Sequence, residues 1–487
     1  MASTNTQSSK VSDKVIYWSA LIYAVICAIS IASENFLLLG LPIILAIVLV
    51  SIYRMDLMLL LCVALTPFSL NLQHTSIGIG VSLPSEPLMF GLLLIFLSRQ
   101  LYFRDLDRKL LLHPVSLAIL IHLFWMLITS VTSTMPLVSI KATLARVCFV
   151  GIFFYLTAIL FKERNKINIF IWCYIVPLLG VIAYTTATHA AAGFTEKAAH
   201  SAMTPFYNDH TAYAAVIAMF IPVMLGFIDD RNKSRGFRIA CFIVLSAFVG
   251  AIVLSYTRAA WVSLVAALLC YLIFALRIKT TIVVGTAFAF VVLVLLNWTA
   301  IQMELERNEE QSSTDYASHV QSVTNITTDA SNVERINRWG CAIRMFAEKP
   351  VLGWGPGTYM FQYAPFQKFS ERTIISTNFG EGGNAHSEYI GALAEQGVLG
   401  SFFFMLILLT VVYRASRIII HSEDRQVRLA TKGLVLGLIT YWVHATLNNF
   451  LDTEKASVPY WGFIAAIVAL DIYHSRKANN LEGRQVS

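Results

Sequence analysis

The stretch RIACFIVLSAFVGAIVLSYTRAAWVSLVAALLCYLIFAL occupies residues 238–276 and decides the class of fold. It consists of two long apolar runs that are separated by the short polar segment Ser255–Arg258. A helix needs about 20 mostly apolar residues to cross a bilayer. The stretch therefore predicts two membrane-spanning helices joined by a tight hairpin.

The whole chain has the composition of a membrane protein. Of its 487 residues, 57% are hydrophobic and 13% are charged, whereas soluble domains carry about 25% charged residues. The net charge of +7 comes from short basic clusters between apolar runs, which is a topological pattern and not a nucleic-acid-binding stripe. Six of the seven cysteines lie in apolar runs, so we predict no disulfide framework. We therefore expect membrane lipid to surround most of the chain, and we expect no nucleic-acid partner.

The same length criterion predicts an all-α, polytopic membrane helix bundle of about fourteen spans. The predicted spans are 15–33, 35–53, 56–72, 83–101, 113–132, 141–162, 167–187, 210–228, 238–255, 259–276, 280–299, 388–413, 430–448 and 456–473. The predicted organisation is an N-terminal tail (1–14), spans one to eleven (15–299), one large loop (300–387), spans twelve to fourteen (388–473) and a C-terminal tail (474–487).

The distribution of basic residues predicts the orientation of these spans. If the N-terminus is cytoplasmic, most lysines and arginines fall in cytoplasmic segments, while the outer loops 73–82 and 133–140 contain neither. Both termini are then cytoplasmic, and the large, partly helical loop 300–387 faces outward. The cytoplasmic loops are too short for a nucleotide-binding domain, so the substrate must arrive in the membrane or from outside.

The outer mouth of the twelfth span carries several ionisable residues. The segment NAHSEYIGALAEQGVLG, residues 384–400, contains His386, Glu388, Glu395 and Gly397. Helical periodicity predicts that His386 and Gly397 share one face, with Glu388 and Glu395 on another. Charged side chains inside a span are costly and indicate function. The alternatives are a surface histidine that caps a helix and a local turn or packing notch at Glu395.

Three further residues are candidates at the outer face. Arg258 lies in the hairpin between spans nine and ten, where its planar guanidinium suits a phosphate or pyrophosphate; the alternative is a snorkelling interfacial arginine. Arg146 lies inside span six near its outer end, and His210 opens span eight. Each of the last two residues alone is more often structural than functional.

The outer loop contains a predicted amphipathic helix. Ser331 and Glu334 have capping-box spacing, and Pro350 supplies a stop. Arg335, Arg338 and Lys349 fall on one predicted face, and the other carries an apolar stripe of Ile336, Trp339, Ile343 and Phe346. We expect this helix to lie on the membrane, over a cavity, or against the transmembrane bundle.

Together these motifs resemble the bacterial O-antigen ligase and polymerase superfamily. The resemblance covers about residues 240–412 and rests on the Thr257-Arg258 hairpin, the segment RWGCAIRMFAEKPVLGWGPG (338–357) and the His386-x10-Gly397 spacing. It implies a GT-C-like bundle in the inner membrane that transfers a glycan from undecaprenyl pyrophosphate to an acceptor at the periplasmic face. One departure is that the ligase motif Arg-x3-Leu appears as Arg258-x3-Val262, which weakens a ligase assignment relative to a polymerase.

The resemblance also implies roles for the residues. His386 would be the general base, Arg258 would hold the pyrophosphate with Arg335 and Arg338, and we add Arg146 as a further donor-binding candidate. Glu388, Glu395, Gly397 and His210 would support the site. The leaving group is a pyrophosphate and the outer face shows no cluster of carboxylates, so we predict an inverting, metal-independent enzyme without a cofactor.

The acceptor implied for a ligase is lipid A–core, and a growing glycan or a protein would be the acceptor of a polymerase or a protein O-oligosaccharyltransferase. A flippase or transporter of lipid-linked oligosaccharides is the alternative from another class. Transporters usually place several charges around a cavity at the membrane midplane. Here the spans are nearly free of charge and the candidates gather at the outer face, which favours the transferase.

Overall fold

The computed structural model describes residues 13–33, 41–72, 81–104, 106–276, 330–368 and 383–475. The chain divides into two compact units, residues 1–58 and 59–487. The first unit contains α1 (Asp13–Ala32), α2 (Leu41–Tyr53) and the start of α3 (Met55–Leu65).

The second unit contains the remaining elements. They are, in chain order, β1 (Leu70–Leu72), β2 (Val81–Leu83), α4 (Ser85–Phe103), α5 (Arg108–Leu111), α6 (Pro114–Val131), α7 (Pro136–Val150), α8 (Thr157–Leu160), α9 (Arg164–Ala191), α10 (Glu196–Ala199), α11 (His210–Asp229), α12 (Arg235–Leu254), α13 (Arg258–Ala275), α14 (Ala330–Glu348), α15 (Tyr359–Gln362), α16 (Glu388–His421), α17 (Arg425–His444) and α18 (Glu454–Ala469). Single-turn 3₁₀ segments cover Thr66–Phe68 and Ala364–Phe366, and π-helical segments cover Gly151–Leu156 and Leu470–His474.

The architecture is an all-α polytopic membrane protein, as predicted. Over the described ranges, nine helices are long and apolar enough to cross a membrane. They are Ser85–Phe103, Pro114–Val131, Pro136–Leu160, Arg164–Ala191, His210–Asp229, Arg235–Leu254, Arg258–Ala275, Glu388–His421 and Glu454–His474. Two shorter apolar helices cover Tyr17–Ala32 and Met55–Phe68.

Helices occupy most of the described parts of the predicted spans. The predicted span 280–299 lies outside the described residues. So do residues 35–40 of the second predicted span, 300–329 and 369–382 of the large loop, and 1–12 and 476–487 of the two tails. The predicted end of the third span at residue 72 is wrong, because α3 stops at Leu65 before the 3₁₀ turn at Pro67. The chain then forms β1, which pairs in antiparallel register with β2.

The core of the second unit is built on α11, α17 and α18. Helix α11 packs along α17, and α18 is buried almost throughout. At Gly437 of α17 a Cβ atom would overlap the Met219 carbonyl of α11. Small residues permit such close helix contacts within membranes. These contacts hold the His444 end of α17 beside the His210 end of α11, where the candidate residues lie.

Candidate functional site

His386 lies in a turn that precedes α16 and not on the helix itself. Ser387 is the N-cap of α16, and its hydroxyl accepts a hydrogen bond from the Ile390 N–H at 3.4 Å. The His386 N–H donates to Asn384 Oδ1 at 3.1 Å, and His386 has a φ of +48°. The prediction that His386 and Gly397 share one helix face is therefore wrong, because the helix begins only at Glu388.

Gly397 interrupts α16 with a non-helical backbone at φ 68° and ψ −171°. The Val398 N–H donates to the Pro350 carbonyl at 2.9 Å, so the segment after the loop helix α14 docks on this kink. Glu395 completes the docking, because its Oε1 accepts from the Tyr359 N–H at 3.0 Å and its carbonyl accepts from the Gly355 N–H at 2.7 Å. These contacts make Glu395 and Gly397 the packing notch that was one of the sequence-based alternatives.

The loop helix α14 packs on the protein with the face that carries Arg338, which is opposite the predicted apolar stripe. Ile336 and Ile343 of the predicted apolar stripe are 41% and 53% exposed, whereas Arg338 is 7% exposed. The buried face joins one hydrophobic cluster with the turn before α16, comprising Cys341, Ala342, Met345, Tyr359, Tyr363, Ala385 and Ala394. Arg338 lies opposite the apolar stripe, as predicted, and this opposite face is the one that packs on the bundle.

Arg338 is held by an ion pair and by the His386 turn. Its Nε donates to Glu334 Oε1 at 2.8 Å, and its NH1 donates to the Asn384 carbonyl at 3.1 Å. The guanidinium carbon lies 5.2 Å from the centroid of the Tyr363 ring. Arg338 thus contacts the segment that carries His386 directly.

Burial and two arginines keep the His386 imidazole neutral. Burial lowers the pKa of His386, the charges of Arg338 and Arg335 lower it further, and the pKa falls to about 4. Asp209 and Glu334 act in the opposite direction on the same pKa. At neutral pH the imidazole is therefore unprotonated, which is the form that a general base requires.

Asp209 and His210 lie at the start of α11, beside the Arg258 hairpin. Asp209 Oδ1 lies 3.1 Å from His210 Nδ1, and Asp209 Oδ2 accepts from the Thr211 hydroxyl at 2.6 Å. Burial works to raise the pKa of Asp209, but the bonds from His210 and Thr211 outweigh it and the pKa is lowered. Asp209 is thus a carboxylate whose charge acts on His386.

Arg258 begins α13 directly beside this segment. Its N-cap neighbour Thr257 donates from its hydroxyl to the His210 carbonyl at 3.4 Å. The imidazole of His210 stacks on that of His200, with ring centroids 4.3 Å apart and nearly parallel planes. The structure therefore places the Arg258 hairpin against His210, next to the Asp209 carboxylate whose charge acts on His386.

Arg146 and Glu388 belong to a neighbouring network. Arg146 NH2 pairs with Asp452 Oδ1 at 3.0 Å. Glu388 Oε1 accepts from the Tyr441 hydroxyl at 2.9 Å and from the Leu451 N–H at 2.8 Å. Glu388 thus has a structural role, because these hydrogen bonds hold the start of α16 against α17 and the connection between α17 and α18.

His444 is a residue that the sequence reasoning missed. It is fully buried at the end of α17, and the charges of Asp209 and Arg335 act on it. Its Nδ1 lies 3.4 Å from Asn448 Nδ2. The available signal was an ionisable side chain near the end of a predicted span, which is a functional hypothesis in a membrane protein.

Two cavities of the described structure lie away from these residues. A cavity of about 300 Å³ lies between α9, α11 and α17 beside Arg164 and Asp230, and one of about 310 Å³ lies between α11, α13, α16 and α17 beside Lys432. Within the described ranges, no group of three or more His, Cys, Asp or Glu side chains could hold a metal ion. The candidate site is therefore defined by its charged and ionisable residues at the other end of the bundle.

The family comparison covers the segment that contains most of these residues. Residues 241–405 match the family model for O-Antigen ligase. The match spans about a third of the chain and includes the Arg258 hairpin, α14 and the His386 turn. It confirms the resemblance stated from the motifs, and it implies a membrane glycosyltransferase of the O-antigen ligase and polymerase kind. No curated protein matches the sequence.

Proposed function

We propose that the protein is an O-antigen ligase of the bacterial inner membrane, with both termini cytoplasmic and the active site periplasmic. It transfers a glycan from undecaprenyl pyrophosphate to a hydroxyl of lipid A–core. The observation that carries the proposal is that the matched segment 241–405 holds the Arg258 hairpin, the arginines of α14 and the His386 turn, and that this turn packs on Arg338. It combines a proton acceptor with arginine charges at one end of the bundle.

In the proposed mechanism, the acceptor hydroxyl attacks the anomeric carbon of the donor. An imidazole nitrogen of His386 takes the hydroxyl proton as the new C–O bond forms. The bond from the anomeric carbon to the pyrophosphate oxygen breaks, and its electron pair leaves with the pyrophosphate. Attack opposite the leaving group inverts the configuration at that carbon.

Arg258 and Arg335 stabilise the leaving pyrophosphate in this proposal. An arginine fork can bond two phosphate oxygens at once, and its charge offsets the negative charge that develops as the bond breaks. Arg146 is engaged with Asp452, so its predicted donor-binding role stays a prediction. Glu388, Glu395 and Gly397 support the site through the contacts of α16, and His210 supports it through Asp209.

A repeat-unit polymerase is the second candidate, and one observation favours it. Val262 stands where the ligase motif has leucine, four residues after Arg258. The same donor chemistry would then serve a growing glycan as acceptor. A protein O-oligosaccharyltransferase would share these features with a protein hydroxyl as acceptor.

The test is the lipopolysaccharide pattern of a deletion strain, examined together with its undecaprenyl-linked glycans. A ligase predicts bare lipid A–core with long polymer retained on undecaprenyl pyrophosphate. Core that carries a single repeat, without long polymer on either carrier, would indicate the polymerase. An unchanged gel would contradict both and would direct the search to protein glycosylation or transport.

A further inference from the structure

Arg338 packs against the turn that carries His386 and donates a hydrogen bond to it. The Arg338 side chain spans between α14 and this turn, with Glu334 on one edge of its guanidinium and the Asn384 carbonyl on the other. The side chains of Arg338 and Glu334 are 9% and 4% exposed. The pair is therefore buried, and its contacts define where the turn can lie.

The turn fits closely over the guanidinium. A Cβ atom on Gly383 would overlap Arg338 NH1, so the chain before Asn384 rests directly on the arginine. Asn384 Oδ1 in turn accepts the His386 N–H at 3.1 Å. A left-handed backbone is uncommon outside glycine and persists when surrounding contacts impose it. The φ of +48° at His386 is such a conformation.

The electrostatic surroundings of Arg338 argue against a donor-binding role. The Glu334 carboxylate lies 2.8 Å from Arg338 Nε and balances its charge. A pyrophosphate placed on Arg338 would face that carboxylate at close range, where like charges repel strongly in a buried site. The arginine is therefore already matched with an anion from its own helix.

We propose that Arg338 is a positioning residue, which holds the His386 turn through Asn384 and does not bind the donor. The inference rests on the proposed function, because it takes His386 as the base. It replaces the sequence-based expectation that Arg338 shares the pyrophosphate with Arg335.

The experiment uses the full-length protein in detergent with an undecaprenyl-pyrophosphate-linked glycan as donor and lipid A–core as acceptor. Arg338→Met should lower kcat about 100-fold, because a displacement of about 1 Å at the base suffices for such a loss. The KM for the donor and the Kd for undecaprenyl pyrophosphate should stay within about twofold. Arg338→Lys should not rescue kcat, since its ammonium is a point charge that cannot reproduce the guanidinium fork.

Two further variants separate positioning from a general loss of structure. Arg344→Met removes another arginine of α14, whose Nε donates to the Phe366 carbonyl at 2.6 Å, and it should leave kcat near that of the wild type. Asn384→Ala should lower kcat as Arg338→Met does. The double variant should then lose little more than the more damaging single variant, because both act through one turn.

A preserved kcat in Arg338→Met or Arg338→Lys, with a donor KM or carrier Kd raised about tenfold, would overturn the inference. If Arg338→Met does not fold, the inference is tested by kcat, the donor KM and the carrier Kd of Arg338→Lys and Asn384→Ala. Failure of the proposed function gives a different result, because the wild type would then show no turnover on this acceptor, or His386→Ala would remain active. An inactive His386→Ala beside an unaffected kcat in the Arg338 variants would refute only the positioning role.

Discussion

Replacement of Gly397 by alanine should undo the docking of the outer loop on α16. Its φ of 68° and ψ of −171° lie in a region that is essentially restricted to glycine and costs other residues about 1–3 kcal/mol. A Cβ atom would also overlap the Val351 carbonyl and lie 2.8 Å from the Pro350 carbonyl oxygen. Relief of that overlap breaks the hydrogen bond from Val398 to Pro350, which contributes about 1 kcal/mol. We expect the free energy of unfolding to fall by about 2–4 kcal/mol.

The measurement is a denaturant titration of the purified protein in detergent, with glycan transfer assayed on the same preparation. Gly391→Ala is the matched control in α16, because its Cβ atom would lie 3.4 Å from the Ala385 Cβ in ordinary contact. That control should be neutral or slightly stabilising, since alanine favours a helix over glycine. Equal stability and activity for Gly397→Ala and Gly391→Ala would refute the role given to the kink.

Three further predictions concern pH and buried polar groups. The value of kcat/KM should be independent of pH near neutrality and should fall as the pH drops through about 4, where His386 gains its proton; an acid limb near 6.5 in the pH–rate profile would contradict this. Lys455→Met removes an ammonium that donates to the Ser69 carbonyl at 2.8 Å. It should lower the free energy of unfolding by about 3 kcal/mol in a denaturant titration. A Lys455→Met variant as stable as the wild type would contradict this prediction. Glu388→Gln should stay active, because its amide oxygen can still accept from the Tyr441 hydroxyl. Glu388→Leu cannot accept this bond, so its free energy of unfolding should be about 2 kcal/mol lower in the same titration. Equal stability of the two variants would contradict the structural role of Glu388.

The helices of this protein could be predicted because long apolar runs in lipid have few alternatives. A segment of about 20 apolar residues satisfies its backbone hydrogen bonds within one helix, so its structure is local. The short antiparallel pairing of β1 with β2 could not be predicted in the same way, because Leu70 pairs with Leu83, which is far from it in the sequence. The predicted end of the third span at residue 72 is therefore later in the chain than the end of α3 at Leu65.

The candidate site could be predicted in its residue types but not in its contacts. The motifs identified His386 and Arg258, and the family match covers both. Periodicity could not tell which face of α14 packs, because an apolar stripe such as that of Ile336 and Ile343 can face lipid as readily as protein. The burial of Arg338 depends on the distant Asn384, which no local pattern reveals.

The most direct test of the proposed function is glycan transfer by purified wild-type protein and His386→Ala in the same detergent. The assay supplies an undecaprenyl-pyrophosphate-linked glycan and lipid A–core, and it measures glycosylated core together with released undecaprenyl pyrophosphate. We expect both products from the wild type and neither from a folded His386→Ala variant. Substantial turnover by that variant would contradict the assignment of His386 as the base, and no turnover by the wild type on this acceptor would contradict the ligase.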